Sequence, residues 1–148
     1  MKAKTPSVDP PKRARADGQL SGLAGELFVA AELLKRGFQT SITFGNAKAI
    51  DLLVHNPRIS HTFTVQVKAL RSPNFFLIGH NSVRPTDIYV FVLLNKPGSA
   101  VKYYVVPGAL LASEPARFGK YFLDVKARNS FKDARFNGRI CRRLGSFR

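Results

Sequence analysis

The sequence predicts an α/β fold, a central mixed β-sheet flanked by helices, with one helix standing before the first strands. Three observations carry this. A single stretch near the start repeats its apolar residues at helical spacing. Several runs of four to ten residues with strand character follow it, bounded by turn residues. One of these, 88–94, is nearly continuously apolar, as a strand buried on both faces requires.

The chain opens on a segment, 1–18, with Pro6, Pro10 and Pro11 among Lys2, Lys4, Lys12, Arg13 and Arg15. So little apolar material cannot offset the entropy of ordering it, so a disordered basic arm is expected there. The rest, 19–148, is expected to form a single domain, long enough to bury a hydrophobic core. Its first element is a helix over 21–36. Ser21 serves as N-cap, Leu20, Leu23, Leu27, Ala30, Ala31 and Leu34 mark one face, and Gly37 supplies the left-handed stop.

Three strands are expected next, over 39–44, 49–55 and 61–70, with Gly45-Asn46 and Asn56-Pro57 as turns. The third alternates cleanly: Phe63, Val65 and Val67 point one way, Thr64, Gln66 and Lys68 the other. The run 75–78 reads as a strand or an inward-packing loop segment. Strands over 88–94 and 101–106 follow, separated by Lys96-Pro97-Gly98, and Pro107 opens a short helix through Ser113. Beyond Glu114 the pattern weakens, leaving 118–125 as a strand or edge segment and 130–136 as helical. The end is basic, with Arg139, Arg142 and Arg143 among apolar residues.

Charge is the outlying property of the composition. Twenty-four Lys and Arg against nine Asp and Glu give +15 and a pI near 10.7. Such a surface attracts polyanions, and nucleic acid is the expected partner. An anionic membrane is disfavoured because no helix joins a basic face to a broad apolar one. Cys141 is the one cysteine, so no intrachain disulfide forms. His55, His61 and His80 lack the spacing of structural zinc ligands. No apolar run approaches the ~20 residues of a membrane span, and no secretory h-region follows the basic start. A cytoplasmic protein is expected.

The polar face of the third strand interrupts what is otherwise core. Gln66 and Lys68 share that face with Cα atoms roughly 6–7 Å apart. Asp51 stands where the preceding strand begins, and a hairpin brings it beside Gln66. Glu26 lies on the helix, at the border of its buried face. Each residue has a plain structural role: Asp51 as a turn cap, Lys68 as an edge-strand gatekeeper, Gln66 as partner of a loop, Glu26 as a solvated helix residue. Together, two carboxylates, an amide and an ammonium suit the binding of a divalent ion and the stabilisation of negative charge developing on a phosphodiester.

In this order and on these elements, Gly22-Leu-Ala-Gly-Glu26, Ala49-Ile-Asp51-Leu-Leu-Val54 and Val65-Gln-Val-Lys68 resemble the PD-(D/E)XK nuclease superfamily, the restriction-endonuclease-like fold. The pairing of a Gly-Glu helix with a Gln-x-Lys strand is similar to its Mrr-type and Holliday-junction-resolvase-like branches. The stretches around Tyr89 and Tyr103 resemble small uncharacterised bacterial members. The resemblance implies a Mg²⁺- or Mn²⁺-dependent endonuclease acting on DNA, with branched or damaged DNA among its substrates and RNA less favoured. Glu26, Asp51 and Gln66 would be its metal ligands, Glu26, Asp51, Gln66 and Lys68 its catalytic group, and a homodimer one way of cutting both strands. Lys12, Arg13, Arg15, Arg139, Arg142 and Arg143 are the expected phosphate contacts. Gln66 departs from the usual motif by removing one negative charge. That leaves a second reading, a nucleic-acid-binding module without catalysis on the same fold.

Overall fold

The computed structural model describes residues 13–43, 50–74, 76–114 and 121–122. Helix α1 (Arg13–Lys35) leads into β1 (Gln39–Ile42), β2 (Leu52–Asn56), β3 (His61–Leu70) and β4 (Phe76–Leu77). After a 3₁₀ turn at His80–Ser82 come β5 (Ile88–Leu93), β6 (Lys102–Pro107), α2 (Gly108–Ser113) and β7 (Tyr121–Phe122). The main sheet has the order β1-β2-β3-β5-β6. All its neighbours are antiparallel except β3 and β5, which run parallel from Val65↔Ile88 to Leu70↔Leu93. β4 and β7 form a separate antiparallel pair. The expected α/β class, a central mixed sheet with an N-terminal helix, is the fold.

The sheet has a core on each face. Val65 and Val67 of β3, Ile88, Val90 and Val92 of β5, and Leu52 and Val54 of β2 pack with Val29, Ala30 and Leu33 of α1. On the other face Tyr89, Phe91 and Val106 pack with Phe76, Ile78 and Leu111, and the rings of Phe76 and Phe91 meet edge-on at 5.3 Å. β5 is therefore buried at all six positions, as its apolar run requires. Large apolar side chains buried this way stabilise by roughly 1.5–3 kcal/mol each.

Two features of α1 differ from expectation. Residues 13–18, read as part of a disordered arm, are helical, and Ser21 is an interior position rather than the N-cap. Its hydroxyl donates to the Asp17 carbonyl four residues back at 2.7 Å, a bond that satisfies serine inside a helix. The buried face is also rotated from the leucines. Ser21, Gly25, Val29, Ala30 and Leu33 face the sheet, whereas Leu20, Leu23, Leu27 and Leu34 are exposed. Gly25 decides this: a Cβ there would stand 2.4 Å from the Ala69 Cβ, so the backbone of α1 lies directly on β3. The helix ends as expected, with Gly37 at φ +86 and the Phe38 N–H donating to the Leu33 carbonyl.

The strands keep their expected places with shifted ends. β2 begins at Leu52, not at Ala49, so Asp51 precedes it. The segment 75–78 contains a short strand, β4, and Pro107 is the N-cap of α2. The expected helix over 130–136 lies outside the described residues.

Candidate functional site

The β2–β3 ladder ends at Leu52↔Val65, but β3 runs on to Leu70. From Gln66 onward β3 has β5 on one side and an edge that β2 has left on the other. Asp51 sits at that departure. Its N–H donates to the Val65 carbonyl at 3.3 Å, continuing the ladder for one more bond. Its carboxylate Oδ2 then accepts the Val67 N–H at 2.6 Å, replacing the next strand partner with a side chain. Thr43 secures the approach from β1, its N–H donating to the Asp51 carbonyl and its hydroxyl to that of Ile50. Asp51 is thus held by β3 and by Thr43, the residue that follows β1.

Glu26 reaches the same neighbourhood from α1, because Gly25 seats the helix on Ala69 and Val67. Burial pushes the Glu26 carboxyl above the usual glutamate range. The negative charge of Asp51 pushes it further up, and the Lys68 ammonium opposes both. Glu26 is therefore close enough to Asp51 and to Lys68 to sense both charges. Lys68 is exposed on β3. Gln66 is only 8% exposed, so although it shares the face of Lys68 by alternation, it does not stand open to solvent as Lys68 does. Its neighbour in register on β5 is Tyr89.

Sequence reasoning missed the Val67 backbone, which holds Asp51 through its N–H and carries its carbonyl on the same strand edge. No residue type marks such a role, since every non-proline residue has these groups. Of the expected phosphate contacts, Lys12, Arg139, Arg142 and Arg143 lie outside the described residues, and Arg13 and Arg15 stand in the first turn of α1. A cavity of about 160 Å³ near the starts of β3 and β5, lined by His61, Phe63 and Asp87 among others, includes none of the four residues.

The donor set can be tested against a divalent ion. Among the described residues no three His, Cys, Asp or Glu side chains form a metal-holding group. Glu26 and Asp51 make two carboxylates whose mutual repulsion raises the proton affinity of Glu26, and a cation relieves that repulsion as a proton does. Mg²⁺ needs little more, since it keeps several waters and takes one or two carboxylates. The residues fit a hard, sparsely ligated ion.

The chain is similar in fold to a bacterial homing endonuclease. The solved structure of that enzyme, I-Ssp6803I, superposes with a TM-score of 0.60 at 17% sequence identity, covering 86% of this chain and 92% of the other. At that identity the likeness is one of fold. No protein-family model matches the chain, and no curated protein does. Among the described residues no helix is long and apolar enough to cross a membrane.

Proposed function

We propose that the protein is a divalent-metal-dependent endonuclease of the PD-(D/E)XK type acting on DNA. The observation that carries this reading is the clamp of Asp51 by the Val67 N–H at the β3 edge that β2 vacates, with Glu26 under the influence of both the Asp51 and Lys68 charges. The fold likeness to a homing endonuclease and the +15 charge support it independently.

Asp51 and Glu26 would hold the metal, with the Gln66 amide as a weaker oxygen donor. A bound Mg²⁺ or Mn²⁺ supplies Lewis acidity to the scissile phosphate and acidity to the attacking water. Glu26 would complete the metal's shell or orient the attacking water, whose proton passes to solvent as its oxygen bonds to phosphorus. The Lys68 ammonium stabilises the negative charge that develops on the phosphoryl oxygens as the bond to the leaving oxygen breaks. The Val67 N–H fixes the orientation of the Asp51 carboxylate. The basic residues Lys12, Arg13, Arg15, Arg139, Arg142 and Arg143 grip the backbone in this reading, and a homodimer would place two such sites on a duplex.

The experiment is cleavage of supercoiled plasmid and of a four-way junction with Mg²⁺ or Mn²⁺, comparing the parent with Asp51→Ala and Lys68→Ala. Loss of cleavage in both variants, with folding intact, is the expected result. Salt-sensitive binding without cleavage in all three would replace the enzyme with a nucleic-acid-binding module on this fold.

A further inference from the structure

We infer that Arg71 is a phosphate-binding residue, holding the substrate phosphate next to the one cleaved. The inference rests on the nuclease reading above and assigns that site a contact beyond its four residues.

Arg71 follows β3 directly, three residues after Lys68. Its Nε donates to the Ser21 hydroxyl at 2.8 Å, and that hydroxyl donates in turn to the Asp17 carbonyl. Ser21 is 7% exposed, so a buried helix position anchors one edge of an exposed guanidinium. The remaining guanidinium edge meets no carboxylate among the described residues. The two ion-paired arginines are arranged otherwise: Arg36 is spent on Glu32 at 2.6 Å and Arg84 on Asp87 at 2.8 Å. Among the described residues Arg71 alone of these three keeps its charge available while its stem is already ordered, which lowers the entropy lost on gripping an anion.

Its place relative to the site follows from α1. The helix touches the end of β3 at successive points, with Ser21 at Arg71 and Gly25 at Ala69, and Glu26 then reaches the field of Asp51 and Lys68. Five residues of helix separate Ser21 from Glu26, roughly 7.5 Å along the axis. That step suits neighbouring phosphates of one strand. Between them Gly22, one turn before Glu26, has open space among the described residues where a Cβ would stand, so the helix presents no bulk at that point. A planar fork with one edge anchored and the other open matches two phosphate oxygens.

The test uses the full chain and fluorescent duplex and four-way-junction DNA, with affinity measured against salt and cleavage measured at saturating and limiting DNA. Arg71→Ala should weaken binding by roughly tenfold and flatten the log–log salt slope by about 0.9, one phosphate's worth. KM should rise with kcat nearly unchanged. Arg71→Lys should recover the slope but not the affinity, because an ammonium lacks the fork. Arg58→Ala removes the same charge from the β2–β3 turn at the far end of β3 and should change neither. Parent-like slope and KM in Arg71→Ala, parent-like affinity in Arg71→Lys, or an equal loss in Arg58→Ala would overturn the assignment while leaving the nuclease standing. A parent that neither binds nor cuts DNA would remove the nuclease reading itself, a result visible before any variant is compared.

Discussion

The carboxylate of Asp51 accepts the backbone N–H of Val67 at 2.6 Å, and this bond takes the place of the next rung in the β2–β3 ladder. A charged side chain standing in for a strand keeps that N–H bonded where β2 pairs no further, so the sheet can end a ladder without an orphaned donor. Asp51→Asn should keep the clamp, since an amide oxygen also accepts, and change stability by no more than about 1 kcal/mol. Asp51→Ala leaves the N–H without this acceptor and should cost roughly 1–3 kcal/mol. Denaturant unfolding of both variants separates the structural from the chemical part. Cleavage should be lost in both, although only one is appreciably destabilised.

The proton affinity of Glu26 reports the charges around it. Burial raises its pKa first, the Asp51 charge adds to that, and Lys68 lowers it. In a carbon-detected titration of the side-chain carboxyl, Asp51→Asn should therefore move Glu26 down and Lys68→Met should move it further up. A divalent ion competes with this proton, so Mn²⁺ affinity should strengthen as pH rises through the Glu26 titration. Mn²⁺ binding that ignores pH there would remove Glu26 from the ligand set.

Two carboxyls give stability opposite dependences on pH. Asp87 is 1% exposed, and burial by itself would raise its pKa. The hydrogen bonds from Arg84 and from Thr64, at 2.8 and 2.6 Å, prevail and hold it below the usual aspartate range. Its stabilisation is present above the unfolded pKa and is lost as pH falls through the lower folded value. Glu26, with a raised pKa, contributes below its unfolded value and loses that contribution as pH rises through the folded one. Unfolding at neutral pH should show Asp87→Asn destabilised by roughly 2–4 kcal/mol and Glu26→Gln stabilised. In strong acid both differences should shrink.

The parts of this molecule that follow from period and punctuation were legible in the sequence. The alternation of β3, the apolar run of β5, Pro107 before α2 and Gly37 after α1 each express a local rule, and each element stands where that rule puts it. The rotation of α1 was not legible, because the leucines make the stronger helical stripe. The face that packs was chosen by a tertiary contact, the close approach of Gly25 to Ala69, which no periodicity encodes. The same limit applies at the candidate site. Asp51 and Lys68 stood out as charges on apolar strands, but their support comes from the Val67 N–H, and the Arg71 contact comes from a serine fifty positions away. Side-chain type carries the first kind of information; chain topology carries the second.

Two glycines of α1 make the packing argument testable. Both pay the helix entropy cost of about 1 kcal/mol relative to alanine. At Gly22 open space surrounds the missing Cβ, so Gly22→Ala should recover that amount and raise the melting temperature. At Gly25 an added Cβ meets the Ala69 Cβ at 2.4 Å, a group with no rotamer to turn away. Gly25→Ala must then lift α1 from β3, separating Val29 and Leu33 from Val65 and Val67, at a cost of roughly 1–3 kcal/mol beyond any helix gain. The same displacement carries Glu26 away from Asp51, so the Glu26 titration should shift toward the ordinary glutamate value in this variant. Thermal unfolding and the carboxyl titration together check it: equal stabilisation by the two substitutions would mean that Gly25 does not set the distance between helix and sheet.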